Sequence, residues 1–123
     1  MDYLQQIPVT MATTIGGLAV GTTTTLTLAN DVQYSIKGKG YKKSAVSNTA
    51  TPTTDAATGL AFNAIAVNKA GVFAICLDSS GALKVVQGGY SVAYSDAGEF
   101  TNGPPQLPVV PDNLCPIGYE LVK

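Results

Sequence analysis

Apolar and polar side chains alternate with a period of two over residues 25–37. The apolar members of this pattern are Leu26, Leu28, Val32, Tyr34 and Ile36, which the turn-like pair Asn30-Asp31 divides into two groups. A period of two places neighbouring side chains on opposite faces of a strand. We therefore predict two half-buried antiparallel strands joined by a tight connection, followed by a bulge or a close backbone approach at residues 38–40.

The segment 60–87 contains three apolar runs separated by two short connectors. The runs are residues 62–67, 72–77 and 83–87, and the connectors are residues 68–71 and 78–81. Each connector begins with Asn or Asp and ends with glycine, which is typical of β-hairpins. The segment therefore predicts a three-stranded meander with the fully apolar strand in the middle. A helix over 56–66 is the competing prediction, because alanine favours helices, although Gly59 interrupts the segment.

The other segments predict a loop, an extended segment and two more strands. Residues 44–59 are small and polar without periodicity, so we expect a long loop that is either solvated or in contact with a neighbouring subunit. The prolines within 98–111 exclude a helix or a central strand and predict an extended segment. We also expect a short strand at 90–94 and a last strand at 117–121, where apolar residues recur at every second position.

These elements together predict a mainly β protein. Its 123 residues fit one domain. We expect a single compact antiparallel β-sandwich or barrel-like domain over residues 14–123, which includes the long loop at 44–59 and the Pro-rich extended segment at 98–111. An extended N-terminal arm, residues 1–13, precedes this domain.

The N-terminal arm and the Pro-rich segment are the candidate interaction surfaces. The arm carries one charged side chain, and the Gly16-Gly17 pair separates it from the strands that follow. An exposed apolar patch on a small domain usually marks an interface. The candidate interaction residues are Tyr3, Leu4, Ile7, Val9, Met11, Leu107, Val109 and Val110. Packing of the arm on another molecule and packing on its own sheet are both open.

The composition restricts the chemistry of this chain. Charged residues make up 12% of it, the formal net charge is −1, and the sequence contains neither histidine nor arginine. The usual catalytic triads, imidazole acid–base catalysis and His-ligated zinc sites are therefore excluded. The carboxylates occur singly, several at predicted turns, without the paired arrangement that a hydrolase needs. We predict no catalytic, cofactor-binding or metal-binding residue, and a protein that is not an enzyme.

The one cluster of like charges consists of four lysines, Lys37, Lys39, Lys42 and Lys43. With two tyrosines nearby, these lysines would suit a platform for single-stranded nucleic acid. Lysines on an exposed strand also prevent edge-to-edge pairing, and we favour this explanation. Because the chain has no basic excess, we expect no nucleic-acid partner.

The sequence predicts neither a membrane span nor a secretion signal. The longest apolar stretch, residues 72–77, is far shorter than the roughly 20 residues that cross a bilayer. The first eight residues lack the basic region and the apolar core of a signal peptide. Cys76 lies within the apolar stretch and Cys115 follows Leu114. We expect both cysteines to be buried free thiols, with a single bridge or an intermolecular link as the alternative.

Three segments carry a resemblance to a known group of proteins. Gly-Lys-Gly-Tyr-Lys-Lys at 38–43 leads into Ala-Thr-Pro-Thr-Thr-Asp at 50–55. A strand–Asp-Ser-Ser-Gly-Ala–strand hairpin spans 72–88, and Pro-Pro-Gln-Leu-Pro-Val-Val-Pro-Asp-Asn at 104–113 precedes Pro-Ile-Gly-Tyr at 116–119. This order resembles small virion structural proteins of tailed bacteriophages, in the style of head decoration or cement proteins. The resemblance covers roughly residues 15–123, through turns and prolines rather than catalytic motifs.

The resemblance implies a structural subunit on the outside of an icosahedral capsid. Such a subunit would bind the major capsid protein and would form a homo-oligomer, with a trimer favoured. It would be synthesised in the host cytoplasm and would then lie on the virion surface. The alternative function is a receptor- or glycan-binding module of a tail fibre. Exposed tyrosines, with Tyr41, Tyr90 and Tyr94 as candidates, would then stack on sugars.

Overall fold

The computed structural model describes residues 10–21, 25–65, 67–88, 92–93 and 106–122. Over these residues the chain forms ten strands and no helix, which confirms the mainly β prediction. The strands are β1 (Met11–Ala12), β2 (Leu18–Val20), β3 (Thr25–Leu28), β4 (Val32–Ile36), β5 (Lys39–Lys43), β6 (Val46–Ala50), β7 (Lys69–Leu77), β8 (Leu83–Gln87), β9 (Val92–Ala93) and β10 (Cys115–Val122).

The described strands form three small antiparallel sheets. The first sheet has the order β1-β4-β5, and the third sheet has the order β2-β3-β6. The central sheet has the order β10-β7-β8, and β9 pairs with the beginning of β7. β7 therefore has hydrogen-bonded neighbours along both of its edges.

The core lies on both faces of β7. Ile75 and Leu77 on one face pack against residues of the first and third sheets. Ala74 and Cys76 on the other face pack with Val86 and Leu114, and Ala56 and Val110 cover this cluster. Alternate residues of a strand point to opposite faces, so a single apolar strand supplies both cores.

The alternating residues of 25–37 are buried, but the pairing of their strands differs from the prediction. β3 pairs with β2 and β6, whereas β4 pairs with β1 and β5. The prediction that β3 and β4 form a hairpin is therefore wrong. The amides of Ala29 and Asn30 donate instead to the carbonyls of Gly17 and Gly16 at 3.3 and 2.9 Å, so the chain passes from one sheet to another.

Residues 38–40 do not form a bulge. Lys37 and Gly38 both have positive φ, 51° and 84°, and Ile36 lies opposite Lys39. Two successive positive φ angles are the geometry of a tight two-residue hairpin turn, in which glycine carries no steric penalty. Gly38 therefore belongs to a turn between β4 and β5.

The prediction of one uninterrupted loop over 44–59 is wrong, because it contains β6. Val46 lies opposite Leu28, and Thr49 lies opposite Leu26. Small polar residues form β6, which is an edge strand of the third sheet. Its side chains are mostly exposed or half-buried, so this strand does not require apolar residues. Asp55 to Thr58 then make a turn rather than the beginning of the alternative helix.

The predicted meander is confirmed only for its second hairpin, β7–β8. Residues 62–65 form no strand, and β7 begins at Lys69, so residues 69–71 belong to a strand instead of a turn. The place beside β7 is taken by β10, the predicted last strand. The ring of Phe62 instead contacts the ring of Phe73 in a T-shaped arrangement, with centroids 5.2 Å apart, and packs against the cluster of Ile75 and Val85.

Candidate binding surfaces

The predicted interaction residues lie on opposite sides of the central sheet. Met11, on β1, is half exposed, and it belongs to the layer that packs on the Leu77 face. Leu107 and Val109 are exposed, Val109 by 89%, whereas Val110 packs inward on the Ala74 and Cys76 cluster. These two groups therefore do not form one surface. Tyr3, Leu4, Ile7 and Val9 lie outside the described residues.

An apolar groove opens where the three sheets meet. Its volume is about 390 Å³, and it lies between β1, the loop at 13–17, and the beginning of β10. Leu28, 1% exposed, lies at its floor, and Ile15, 87% exposed, lies at its rim. The lining residues are Thr10, Met11, Ala12, Thr14, Ile15, Gly16, Gly17, Leu18, Leu28, Pro116 and Ile117, none of which carries a charged side chain.

Hydrogen bonds fix the loop that forms one wall of this groove. The amide of Thr13 donates to the carbonyl of Gln33 at 2.8 Å, and the amide of Gln33 donates to the hydroxyl of Thr14 at 2.9 Å. A Cβ on Gly16 would come within 2.5 Å of a methyl group of Val32, so only glycine permits this close approach to the core. The groove is therefore a built feature of the fold.

Sequence reasoning identified Met11 but missed Ile15, Leu18 and Ile117 as groove residues. The available signal was the Gly16-Gly17 pair between two large apolar side chains. Such a pair indicates a backbone that approaches the core and leaves its neighbours at the surface. The contribution of Ile117 depends on β10 joining the central sheet, which no local pattern reveals.

A second, polar pocket lies beside the β7–β8 turn. Its volume is about 420 Å³, and it is lined on its polar side by Asp55, Asp78, Lys84 and Asn113. The carboxylate of Asp55 accepts a hydrogen bond from the amide of Ala57 at 2.9 Å. This pocket thus presents carboxylate, ammonium and amide groups together.

Asp78 acts mainly as the cap of the β7–β8 turn. Its Oδ1 accepts hydrogen bonds from the amides of Ser80 and Ala82, both at 2.9 Å, and from the Ser80 hydroxyl at 2.7 Å. Burial raises the pKa of Asp78, but the hydrogen bonds from Ser80 and Ala82 and the charge of Lys84 outweigh burial and hold the pKa below its ordinary value. The carboxylate is therefore used for structure, as the sequence predicted for turn acids.

The lysine cluster lies at the outer edge of the first sheet. Three of its members are on β5, the outermost strand, and Lys37 is in the turn before it. This placement agrees with edge protection. The Tyr41 ring stacks on Tyr34 with centroids 5.6 Å apart and lies 5.8 Å from the Lys39 ammonium, so it is already engaged within the protein. Tyr90 and Tyr94, the other candidates for sugar stacking, lie outside the described residues.

Both cysteines are free and buried, which confirms the predicted thiols. Cys76 lies opposite Pro116, and Cys115 lies opposite Leu77, in adjacent positions of paired strands. Their side chains point to opposite faces of the central sheet, which explains why they do not form a bridge. Burial raises the pKa of the Cys76 thiol to about 12, and it also raises the pKa of Cys115. Neither thiol is therefore activated as a nucleophile.

Among the residues that the structure describes, no group of three or more metal-ligating side chains occurs. No helix in the same ranges is long and apolar enough to cross a membrane. No protein-family model, curated protein or solved structure matches this chain. The candidate surfaces among the described residues are the apolar groove, the polar pocket and the exposed apolar side chains.

Proposed function

We propose that this chain is a non-enzymatic structural protein of a tailed-bacteriophage virion, a decoration or cement subunit on the outer surface of the capsid. Its partner is the major capsid protein, and its own form is a homo-oligomer, with a trimer favoured. The sequence resemblance over roughly residues 15–123 motivates this proposal. The physical support comes from the side chains that the fold leaves exposed.

One observation carries the proposal: the domain presents many large apolar side chains to the surface. Eight such side chains among the described residues are between 47% and 89% exposed. They are Met11, Ile15, Leu60, Val67, Leu107, Val109, Tyr119 and Leu121. Single exposed apolar residues are ordinary, but Met11 and Ile15 line one groove, and Tyr119 and Leu121 lie two residues apart on one face of β10. Exposed apolar side chains that are grouped in this way favour burial against other molecules.

The engaged polar groups of the described chain support a structural role. Asp78 caps a turn, and Asp31 accepts a hydrogen bond from the amide of Ala45 at 2.9 Å and lies 3.2 Å from the Lys42 ammonium. The Ala45 hydrogen bond, with Lys42 adding to it, lowers the pKa of Asp31. Carboxylates with lowered pKa values stay ionised at neutral pH, and ionised carboxylates that cap backbone amides are unsuited to act as general acids.

An oligomer suits attachment to a capsid lattice. A trimeric subunit placed on a site with local threefold symmetry makes the same contact three times, so weak individual contacts give firm attachment. The low charge content of 12% implies that such contacts depend mainly on apolar burial. Capsid attachment should therefore weaken little between low and moderate salt concentration.

The copy number of the chain in purified virions tests this proposal. Quantitative mass spectrometry against isotope-labelled peptides measures the ratio of this chain to the major capsid protein. We expect a ratio that corresponds to a copy number per particle of the same order as the number of capsid lattice sites. A ratio that corresponds to a handful of copies would instead indicate a tail component and overturn the proposal.

The polar pocket favours one second candidate, a glycan-binding module of a tail fibre. Carboxylate, ammonium and amide groups in one pocket of about 420 Å³ are suited to hydrogen-bond sugar hydroxyls. Lys84 and Asn113 are both exposed, so their replacement by alanine should leave the fold intact. Saturable binding of the wild-type chain on a glycan array, lost in the Lys84→Ala and Asn113→Ala variants, would favour this candidate.

A further inference from the structure

β5 (Lys39–Lys43) forms one edge of the first sheet, with β4 as its neighbour. The two-residue turn that precedes β5 makes Ile36 and Lys39 the hydrogen-bonded pair that closes the hairpin. Along an antiparallel ladder, hydrogen-bonded pairs alternate with pairs that are not hydrogen-bonded. The backbone amides and carbonyls of Gly40 and Lys42 therefore point away from β4, towards the outer side of the sheet.

The hydrogen bonds on the other side of β4 support this assignment. Gln33, which lies opposite Lys42, donates its amide to the hydroxyl of Thr14 and accepts the amide of Thr13, so its backbone faces β1. Gly40 and Lys42 are exposed, and their outward backbone groups have no hydrogen-bond partner among the described residues. A Cβ on Gly40 would have no atom within 4 Å. This edge therefore has space and hydrogen-bonding groups for a further strand.

The same edge carries positive charge that the described residues do not neutralise. Residues 10–43 contain four lysines and a single acidic residue, Asp31. Asp31 lies 3.2 Å from the ammonium of Lys42, and this is the one ion pair among the described residues. Lys39 and Lys43 flank Tyr41 at alternate positions, so the three side chains share one face of the strand. This face therefore presents two ammonium groups without a carboxylate partner among the described residues.

We propose that β5 binds an extended acidic segment of a partner protein, which adds a strand to the edge of the first sheet. Gly40 and Lys42 supply the backbone hydrogen bonds. Two carboxylates of the segment, four residues apart, lie opposite Lys39 and Lys43. In an antiparallel addition these are the pairs that are not hydrogen-bonded, in which opposing side chains come closest. This contact is separate from the apolar capsid attachment proposed above, so either can fail while the other stands.

The charge and the aromatic ring of β5 disfavour two other occupants. If two copies of β5 pair in antiparallel orientation about Tyr41, Lys39 of each copy lies opposite Lys43 of the other, and like charges in such positions are destabilising. Single-stranded nucleic acid binds through bases that stack on exposed rings, whereas Tyr41 is half-buried and stacked on Tyr34. The lysines therefore oppose self-pairing and favour an acidic strand.

A synthetic peptide tests this contact on the full-length chain. The acidic probe is Ser-Thr-Glu-Thr-Val-Thr-Glu-Thr-Ser, which reads the same in both directions and so suits either strand orientation. One control peptide carries Gln in place of both Glu residues. The other, Ser-Thr-Thr-Glu-Val-Glu-Thr-Thr-Ser, has the same composition but carries its carboxylates on the opposite face of the strand.

Nuclear magnetic resonance titration of the isotope-labelled chain measures the dissociation constant and identifies the amides that respond. We expect saturable binding of the acidic probe, with the largest shifts at the amides of Gly40 and Lys42. Both control peptides should bind roughly fivefold more weakly or worse, because each loses two opposite-charge pairs across the strands.

Protein variants distinguish strand addition from charge attraction. The double variant Lys39→Gln/Lys43→Gln removes both ammonium groups, and Lys69→Gln/Lys84→Gln, in the central sheet, is its control with the same net charge. Gly40→Pro removes one outward amide, which an edge strand tolerates, and Gly40→Ala is its control. Binding of the acidic probe should weaken roughly fivefold or more in the first double variant and in Gly40→Pro, and both controls should bind as the wild type does. Circular dichroism verifies that each variant is folded.

Three results would overturn the inference. The first is a wild-type chain that shows no saturable binding of the acidic probe, or that binds the peptide with exchanged carboxylates equally well. The second is wild-type affinity in a folded Gly40→Pro variant, which would indicate charge attraction without an added strand. The third is tighter binding of an oligothymidine of equal length than of the acidic probe, which would assign the lysines to nucleic acid.

Discussion

Ile75 at the centre of β7 provides the most direct test of the described core. It is 1% exposed and packs with Leu26 and Val85, while Phe62 closes the cluster from the side. Replacement by alanine removes Cγ1, Cγ2 and Cδ1 from this site. At about 0.8 kcal/mol for each buried methylene-sized group, the lost transfer free energy is about 2.4 kcal/mol.

The cavity left behind adds to this cost. Buried Ile→Ala substitutions cost about 2–5 kcal/mol in total, and the antiparallel partners on both sides of β7 restrict collapse around the site. We therefore expect the free energy of unfolding to fall by about 3–4 kcal/mol for Ile75→Ala. For a domain of this size the melting temperature should fall by roughly 10–15 °C. Ile75→Asp, which buries a charge without a partner, should prevent folding.

Urea unfolding followed by far-ultraviolet circular dichroism measures this change. The midpoint concentration should fall in Ile75→Ala while the slope of the transition stays constant, because the exposed surface on unfolding is nearly unchanged. Val67→Ala is the matched control at an exposed site and should change stability by less than about 0.5 kcal/mol. An Ile75→Ala variant with wild-type stability, or a soluble and fully stable Ile75→Asp variant, would refute the assignment of this strand to the core.

Four further outcomes follow from individual residues. Asp78→Ala removes three hydrogen bonds from the β7–β8 turn and should lower the free energy of unfolding by about 1–2 kcal/mol in urea titrations. Gly16→Ala forces a methyl group against the core and should cost about 1–3 kcal/mol, whereas Gly40→Ala, with no atom within 4 Å of the added Cβ, should cost almost nothing in the same titrations. Native protein should leave Cys76 and Cys115 unmodified by a thiol reagent that labels both after unfolding, since both are buried; rapid native labelling would contradict their burial. Thermal melts should show stability that is flat between pH 6 and 8, and a steep change near pH 7 would contradict this profile. Stability should fall below pH 4, because the lowered pKa of Asp78 makes the unfolded state bind more protons than the folded state. It should also fall from about pH 9 towards 12, because the raised pKa of Cys76 makes the folded state bind more protons than the unfolded state.

The parts of the fold that were predictable are those set by local patterns. The burial of Val32, Tyr34 and Ile36 follows from their alternation, and the Asp78 turn follows from an acid that caps amides before a left-handed glycine, Gly81 with φ 80°. β10 followed from its own period of two. In each case the interactions that determine the structure lie within a few residues along the chain.

Strand partners were not predictable, because distant residues decide them. β7 pairs with β10 some forty positions later, and only the joint packing of both faces fixes that register. Residues 62–65 are apolar enough to form a strand, yet the ring of Phe62 packs on Phe73, and β10 rather than this segment pairs with the edge of β7. β6 was missed for the opposite reason, since a polar edge strand has no apolar period to reveal it. The groove depends on three sheets meeting and was therefore hidden from local reasoning.

We propose that this domain belongs to the outer surface of a phage capsid. Cryo-electron microscopy of purified virions from a phage that encodes this chain tests it most directly, with particles of a deletion mutant as the control. We expect density that fits the three-sheet fold at symmetry-related sites outside the capsid shell, and we expect this density to be absent from the mutant particles. Identical capsid surfaces in both particles, with any difference confined to the tail, would contradict it.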